Sequence, residues 1–151
     1  MNFIIHDHCG GLAAIPSTLR QEIEAAITAC TVQPGRRQAS VIGSSIISGL
    51  VGSGWSGKVK LARGSKITIT SVKNNIGLCL QTGNMARLYA DLLKLQQMFL
   101  NKAIKAGVMI VPTREAAKAL GDNIAHANRL QCELEIFRSV IHMPLMIIAV
   151  E

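Results

Sequence analysis

The stretch KITITSVKNNIGLCLQTGNMARLYADLLKLQQMFLNKAIKAG, residues 66–107, decides the fold. β-Branched and apolar residues predominate in 66–72 and 76–81, as in strands. Between them lie Asn74 and Asn75, and asparagine tolerates the positive φ that a tight hairpin turn requires. The first half of the stretch therefore predicts a β-hairpin.

A long core helix is predicted directly after the hairpin. Asn84 is well placed as its N-cap, because its side chain can accept a hydrogen bond from the first turn. Apolar residues then recur every three or four positions from Met85 to about Lys105, the spacing of a buried helical stripe. The hairpin that leads into this helix carries no carboxylate.

Outside this stretch the sequence predicts helices and strands in alternation. The chain of 151 residues is long enough for one domain, residues 1–151, with a sizeable core. We expect a short strand or an anchoring turn at 3–5, strands at 58–62, 108–112 and 145–150, and helices at 17–31, 38–51, 113–120 and 124–139. Ser17 or Thr18 and Thr113 are predicted caps. This order is typical of an α/β protein with a mixed sheet flanked by helices on both faces.

Charge is distributed very unevenly along the chain. The formal net charge is +7, yet residues 25–90 hold eight cationic side chains and no carboxylate. Residues 1–24 carry a net charge of −2 and residues 91–151 a net charge of +1. A surface of one sign attracts polyanions, so the middle segment indicates nucleic acid as a partner. A basic surface that only maintains solubility is the alternative.

Seven cations of this segment are candidate nucleic-acid contacts. Two lie in the turn at 33–37, two are expected on one face of the strand at 58–62 with a third just beyond its end, and two flank the first hairpin strand. They are Arg36, Arg37, Lys58, Lys60, Arg63, Lys66 and Lys73. Arginine binds phosphate in a bidentate manner and lysine as a point charge.

Two local motifs are weaker indications of function. His6, His8 and Cys9 offer at most three metal ligands without a partner cluster, so we expect exposed or locally hydrogen-bonded side chains there and no metal. Residues 52–58 match both a phosphate-binding loop and G-x-G-x-x-G on paper. The hydroxyl that should follow the lysine is replaced by Val59, and no acidic residue follows at the required distance. A turn between a helix and a sheet accounts for these residues.

The cysteines and the termini indicate a cellular compartment. The four cysteines, Cys9, Cys30, Cys79 and Cys132, form no Cys-x-x-Cys pair. No basic segment followed by an apolar run opens the chain, and the apolar run 144–150 is too short to span a bilayer. We expect a cytoplasmic protein with reduced thiols and no membrane contact.

Several local matches resemble the BglII/BstYI type of restriction endonuclease, a group of PD-(D/E)XK nucleases. The order of elements and the Gly-Trp before the first sheet strands agree with it. The matching runs are Ile69-x-x-Val72-Lys73-Asn74, Leu80-Gln81-x-Gly83-Asn84, Ala86–Leu93, Ile110-Val111-Pro112 and Pro144-Leu145 with Ile148. The resemblance implies a restriction-endonuclease-like mixed sheet, double-stranded DNA as partner, and a homodimer that presents two clefts to one duplex.

The catalytic positions that the resemblance implies are occupied by unusual residues. In the resembled family an Asp on the first hairpin strand and an acid on the second hold a divalent metal, and a Gln follows. These positions fall on Thr70, Cys79 and Gln81. Only Gln81 agrees, and no carboxylate lies between Glu24 and Asp91. A relocated metal ligand would have to come from Glu22, Glu24 or Asp91 across space. The alternative role of Asp91 is an ordinary ion pair with a local cation.

Three functions remain open from the sequence. The first is a catalytically degenerate, DNA-binding pseudoenzyme without a cofactor. The second is an active, Mg²⁺-dependent type II DNA endonuclease with a relocated ligand set. The third is a protein-interaction module built on the same fold. The sequence specifies neither a recognition sequence nor a partner, and does not distinguish natural from engineered loss of the acids.

Overall fold

The computed structural model of the protein describes residues 1–151. Its elements, in chain order, are β1 (Phe3–His8), α1 (Gly11–Ala14), α2 (Ser17–Thr28), α3 (Ala39–Gly52), β2 (Val59–Lys60), β3 (Thr68–Ile69), β4 (Ser71–Lys73), β5 (Ile76–Leu80), α4 (Met85–Leu100), β6 (Ala106–Pro112), α5 (Arg114–Leu120), α6 (Ala127–Ile136) and β7 (Leu145–Val150).

A five-stranded mixed sheet forms the centre of the molecule, in the order β1-β7-β6-β5-β4. Strands β5, β6 and β7 run parallel, and the two edge strands β1 and β4 pair antiparallel with their neighbours. Strands β6 and β7 are buried along their whole length, because helices cover both faces of a parallel sheet. The predicted α/β class with a mixed sheet between helices is confirmed.

The two faces of the sheet belong to separate hydrophobic clusters. Helices α2 and α3 pack with Ile76, Leu78 and Trp55 on one face. Helices α4 and α6 pack with Cys79 and Met109 on the other face. Because side chains alternate along β5, the hairpin contributes to both layers.

The predicted hairpin turn is confirmed. Asn74 and Asn75 have φ values of 47° and 61°, and the turn joins β4 to β5 with Lys73 opposite Ile76. The strand predicted at 66–72 is, however, interrupted at Thr70. Its first part, β3, pairs with β2 in a separate two-stranded sheet, whereas β4 pairs with β5. Period-two alternation alone cannot show where a strand changes partner.

Several predicted boundaries are wrong at the ends of elements. Helix α4 ends at Leu100, the strand at 58–62 comprises only β2, and the helix expected at 124–139 is α6. Asn84 and Thr113 cap α4 and α5 as predicted, since each side chain accepts a backbone N–H bond. Ser17 is already helical and no side chain caps α2.

None of the helices is both long and apolar enough for a membrane-spanning segment.

Candidate functional site

The hairpin positions Thr70, Cys79 and Gln81 lie at the end of the sheet that faces helix α4. Thr70 Oγ1 accepts a hydrogen bond of 3.1 Å from the backbone N–H of Leu80, which closes the bend in the chain. Cys79 is 1% exposed and packs in the cluster below α4. Gln81 donates its backbone N–H to the Ile110 carbonyl at 2.9 Å and so continues the parallel pairing just beyond β5.

The side chain of Gln81 connects the hairpin to α4. Its Oε1 accepts the backbone N–H of Gly83 at 2.8 Å, and its Nε2 donates to Asp91 Oδ2 at 2.6 Å. Asp91 Oδ1 accepts from Lys94 Nζ at 2.8 Å. Asp91 is only 8% exposed. One carboxylate therefore does reach Gln81 across space, and it is also paired with a local cation, as the sequence suggested.

The thiol at this site is neutral. Burial raises the pKa of Cys79 to about 12, and the nearby negative charge of Asp91 adds to the effect. A hydrogen bond between the thiol and the Thr70 backbone lowers the pKa, as does the charge of Lys94, but both effects are smaller. Cys79 is thus protonated at neutral pH and is not an activated nucleophile.

The donors at this site do not fit a divalent metal. Mg²⁺ prefers hard oxygen ligands in octahedral geometry, commonly one or two carboxylates. Here the donors are one hydroxyl occupied by a backbone bond, a neutral thiol, an amide, and a single carboxylate bonded to an ammonium group. No three His, Cys, Asp or Glu side chains come together anywhere in the chain in a way that could hold a metal ion.

A second cation lies beside Gln81. An added Cβ on Gly83 would lie 2.7 Å from Gln81 Oε1 and 3.5 Å from Arg87 Nη1, so the guanidinium group of Arg87 extends over Gly83. The Gly83 carbonyl accepts the backbone N–H of Ala125 at 2.8 Å, which ties this loop to the segment before α6. Arg87 itself is exposed and has no carboxylate partner. Its charge belongs to the eight cationic side chains of residues 25–90, but no sequence pattern assigns it a role.

Four of the predicted nucleic-acid contacts lie in one separate two-stranded sheet and its turn. Residues 58–69 form a two-stranded antiparallel ribbon, which we call the basic ribbon, in which Val59 pairs with Ile69 and Lys60 with Thr68. A turn closes it, with Ser65 N bonded to the Ala62 carbonyl at 3.1 Å. Its four cations are all exposed and none has a carboxylate partner. They are Lys58, Lys60, Arg63 and Lys66.

Lys73, in contrast, is engaged inside the molecule. Its Nζ donates to both carboxylate oxygens of Glu22 at 2.7 Å and to the Ser53 carbonyl at 2.6 Å. Trp55 Nε1 donates to the same carboxylate at 2.9 Å. This network holds α2, the loop after α3 and the hairpin together. Lys73 therefore differs from the other predicted contacts, because its charge is already compensated.

Arg36 and Arg37 are exposed in the loop between α2 and α3. The preceding Pro34 lines the same surface depression as Thr113 and Glu115, at the start of α5. The arginine pair therefore follows closely on a residue that lies near the carboxyl end of β6.

The histidines have structural roles. The prediction of exposed or locally bonded histidines is wrong for His8, which is buried and donates from Nε2 to the remote Ile141 carbonyl at 2.7 Å. His126 caps α6 by accepting the backbone N–H of Arg129 at Nδ1. Burial lowers the pKa of His126, and the charges of Arg114 and Arg129 lower it further, so the neutral capping form is favoured.

The arrangement of strands and helices is that of the restriction endonucleases. The crystal structure of restriction endonuclease BglII complexed with a DNA 16-mer superposes with a TM-score of 0.87 over 99% of this chain and 76% of that chain, at 13% identity. Free BglII gives a TM-score of 0.81 over 100% and 80% of the two chains, at 15% identity. At these identities the likeness concerns the fold.

The family follows from the sequence model. The model of the family described as restriction endonuclease BglII/BglIII matches residues 3–150. The chain belongs to this family, as the local matches around the hairpin indicated. No curated protein sequence matches the chain.

Proposed function

We propose that this protein is a catalytically degenerate member of the BglII family, folded as one domain over residues 1–151, that binds double-stranded DNA without cutting it. The observation that carries DNA binding is the basic ribbon, a two-stranded structure with four exposed cations and no carboxylate. The major groove of DNA admits a two-stranded ribbon, and lysine and arginine side chains on its flanks reach phosphates. The solved BglII complex contains a DNA 16-mer, which supports the same class of ligand here.

The chemistry of the former metal position supports the absence of cleavage. Hydrolysis by this class of nuclease requires a metal ion held by carboxylates, which activates water and stabilises the charged transition state. Thr70 and Cys79 supply no negative charge, and Asp91 is already neutralised by Lys94. Gln81 alone cannot hold the ion, so no cofactor is proposed.

Salt dependence of DNA binding tests the role of the ribbon. Mobility shift of a short duplex at two salt concentrations should show affinity that falls steeply with salt, because phosphate contacts release counterions. Replacing Lys58, Lys60, Arg63 and Lys66 with Gln should reduce the slope of log affinity against log salt by roughly three to four. Binding that is insensitive to salt, or absent at low salt, contradicts the proposal.

A matched variant controls for net charge. Substituting Gln for four exposed cations elsewhere removes the same total charge without touching the ribbon. These are Lys102, Lys105, Lys118 and Arg138. Its salt slope should remain close to that of the unchanged protein. An equal loss in both variants would indicate a general charge effect and not a ribbon contact.

Plasmid cleavage tests the degeneracy. Supercoiled plasmid in Mg²⁺ or Mn²⁺ should remain intact at high protein concentration. Nicking or linearisation that EDTA abolishes would favour the alternative, an active endonuclease whose ligand set includes Asp91. Asp91→Asn then provides the control, because an activity that uses this carboxylate disappears with it.

A specific surface also favours a protein contact. An apolar groove between α4 and α6 is lined by side chains that include Leu92, Leu93, Phe137 and Val140, and Leu93 and Val140 are 57% and 56% exposed. Exposed apolar clusters of this kind mark interaction sites. We assign this groove to the homodimer; a heterologous protein partner is the alternative. Leu93→Glu should convert a dimer to a monomer in light scattering, and a monomeric mass for the unchanged protein excludes the homodimer.

A further inference from the structure

We propose that Arg87 binds a phosphodiester group of DNA beside Gln81 without any metal ion, and that Lys94 takes over the neutralisation of Asp91 that a metal would otherwise provide. This inference rests on the proposed DNA binding and assigns two residues of α4 to it. It follows from the disagreement between the donors at this site and the metal that the family's chemistry requires.

Lys94 compensates the charge of Asp91. Its ammonium lies 2.8 Å from Asp91 Oδ1, on the same carboxylate that accepts a hydrogen bond from Gln81. The side chain is 24% exposed and Asp91 is its only bonded partner. Lysine carries three donors, so two remain for solvent or ligand. A fixed ammonium here removes the repulsion that Asp91 would exert on an approaching phosphate.

Arg87 supplies an exposed, uncompensated positive charge. Its guanidinium lies over Gly83, next to the Gln81 amide, and is exposed without a carboxylate partner. The lack of a side chain at Gly83 leaves the space that Arg87 occupies, since a Cβ there would lie only 3.1 Å from Arg87 Cδ. Guanidinium binds phosphate oxygens in a bidentate manner. Arg87 is therefore oriented toward the surface at the point where α4 meets the hairpin.

The local charges add up to a phosphate site. Asp91 and Lys94 cancel, and Arg87 leaves one positive charge beside Gln81. One phosphodiester group, with its single negative charge, neutralises the site. A divalent cation added to the same site would find only one carboxylate, which is already bonded to Lys94 and Gln81. DNA binding at this point should therefore be independent of divalent metal.

Fluorescence anisotropy with a 16-base-pair duplex tests the inference. At matched ionic strength, the unchanged protein should bind equally, within about twofold, in Mg²⁺ and in EDTA. Arg87→Gln should weaken binding roughly fivefold to tenfold and reduce the salt slope by about one. Lys118→Gln, which removes the same charge from the exposed face of α5, should change affinity by less than about twofold and serves as the control.

Lys94→Met supplies a readout that a purely structural role would not give. Removing the ammonium leaves Asp91 uncompensated, so binding should weaken in EDTA and recover in part when Mg²⁺ is added. Equal effects of Arg87→Gln and Lys118→Gln, or a requirement for Mg²⁺ in the unchanged protein, would overturn this inference alone. Absence of binding by every form would overturn the proposed function as well. Circular dichroism of each variant confirms that it is folded.

Discussion

Two acid–lysine pairs lie on opposite faces of the β4–β5 hairpin, and they differ in the distance along the chain that they connect. Glu22 and Lys73 are 51 residues apart and join α2 to the hairpin, with Trp55 and the Ser53 carbonyl as additional partners. Asp91 and Lys94 are three residues apart on one helix, and only Gln81 adds a contact from the hairpin.

This difference separates a pair that holds the fold from a pair that adjusts a site. Loss of the Glu22 pair would release contacts among three elements and leave the Trp55 N–H without its acceptor. Loss of the Asp91 pair would change the charge beside Gln81 while α4 stays packed on its apolar stripe. We therefore expect substitutions in the first pair to lower stability, and substitutions in the second pair to change ligand binding.

The largest expected effect comes from placing an acid beside the second pair. Cys79→Glu places a carboxylate where the side chain is 1% exposed and close to Asp91, and should lower the free energy of unfolding by about 3 kcal/mol or more without metal. Adding Thr70→Asp completes the family's pair of acids, and the double variant should then be stabilised by Mn²⁺. Thermal unfolding with Mn²⁺ and with EDTA measures both effects.

The control for this experiment is Cys79→Ala with Thr70→Ser, which should show no response to Mn²⁺. If the unsubstituted protein already gains thermal stability in Mn²⁺, the donors fit a metal after all. Asp91 would then act as a metal ligand, and its ion pair with Lys94 would not set the charge beside Gln81.

The next effect concerns the first pair. Glu22→Ala removes the acceptor of Lys73 and Trp55 and should lower the free energy of unfolding by about 2 kcal/mol, because two partly buried donors lose their partner. Urea denaturation measures it. Glu24→Ala, four positions from Arg20 on the exposed side of the same helix, is the control and should cost less than about 1 kcal/mol. Equal losses would remove the distinction between a holding pair and a surface pair.

A smaller effect on stability is expected for the second pair, Asp91 and Lys94. Asp91→Asn keeps an oxygen for Gln81 but removes the ion pair, so the free energy of unfolding should change by about 1 kcal/mol or less. DNA affinity should rise roughly twofold to fivefold, since Lys94 and Arg87 are then both uncompensated. A fall in affinity would show that Asp91 positions a group that binds DNA.

Much of the fold followed from local patterns around the hairpin. The two asparagines at the turn, the Asn84 cap and the three-to-four spacing of α4 act through backbone geometry and burial within one segment, so a sequence displays them. The interruption at Thr70 did not, because it depends on β3 finding β2 as a partner in another sheet. Strand choice of this kind is a tertiary effect.

The candidate site was predictable in part for the same reason. The uncharged residues Thr70 and Cys79, at the positions that the resemblance implies as catalytic, and the charge of residues 58–66 are properties of the sequence alone. The role of Lys73 was not, since its partner Glu22 is remote in sequence and no local signal joins them. The pairing of Asp91 could be predicted, because a carboxylate beside the apolar stripe of Leu88, Leu92 and Leu95 requires a partner.

The smallest effect concerns the pH dependence of the first pair. The hydrogen bond from Lys73 is the main cause that lowers the pKa of Glu22 below its usual value of 4.5. Between the folded and unfolded pKa the unfolded chain binds more protons, so the free energy of unfolding rises with pH in that interval. The contribution is fully present above about pH 4.5 and is lost as the pH falls through the folded pKa. Urea denaturation of the unchanged protein and of Glu22→Gln at about pH 3 and pH 6 measures it, and the difference between the two proteins should shrink at the lower pH.

Glu135→Gln, at an exposed position of α6, is the control, and its difference from the unchanged protein should stay constant. A difference for Glu22→Gln that persists at the lower pH would mean that the pair acts through shape and hydrogen bonding, and that its charge contributes nothing to holding the fold.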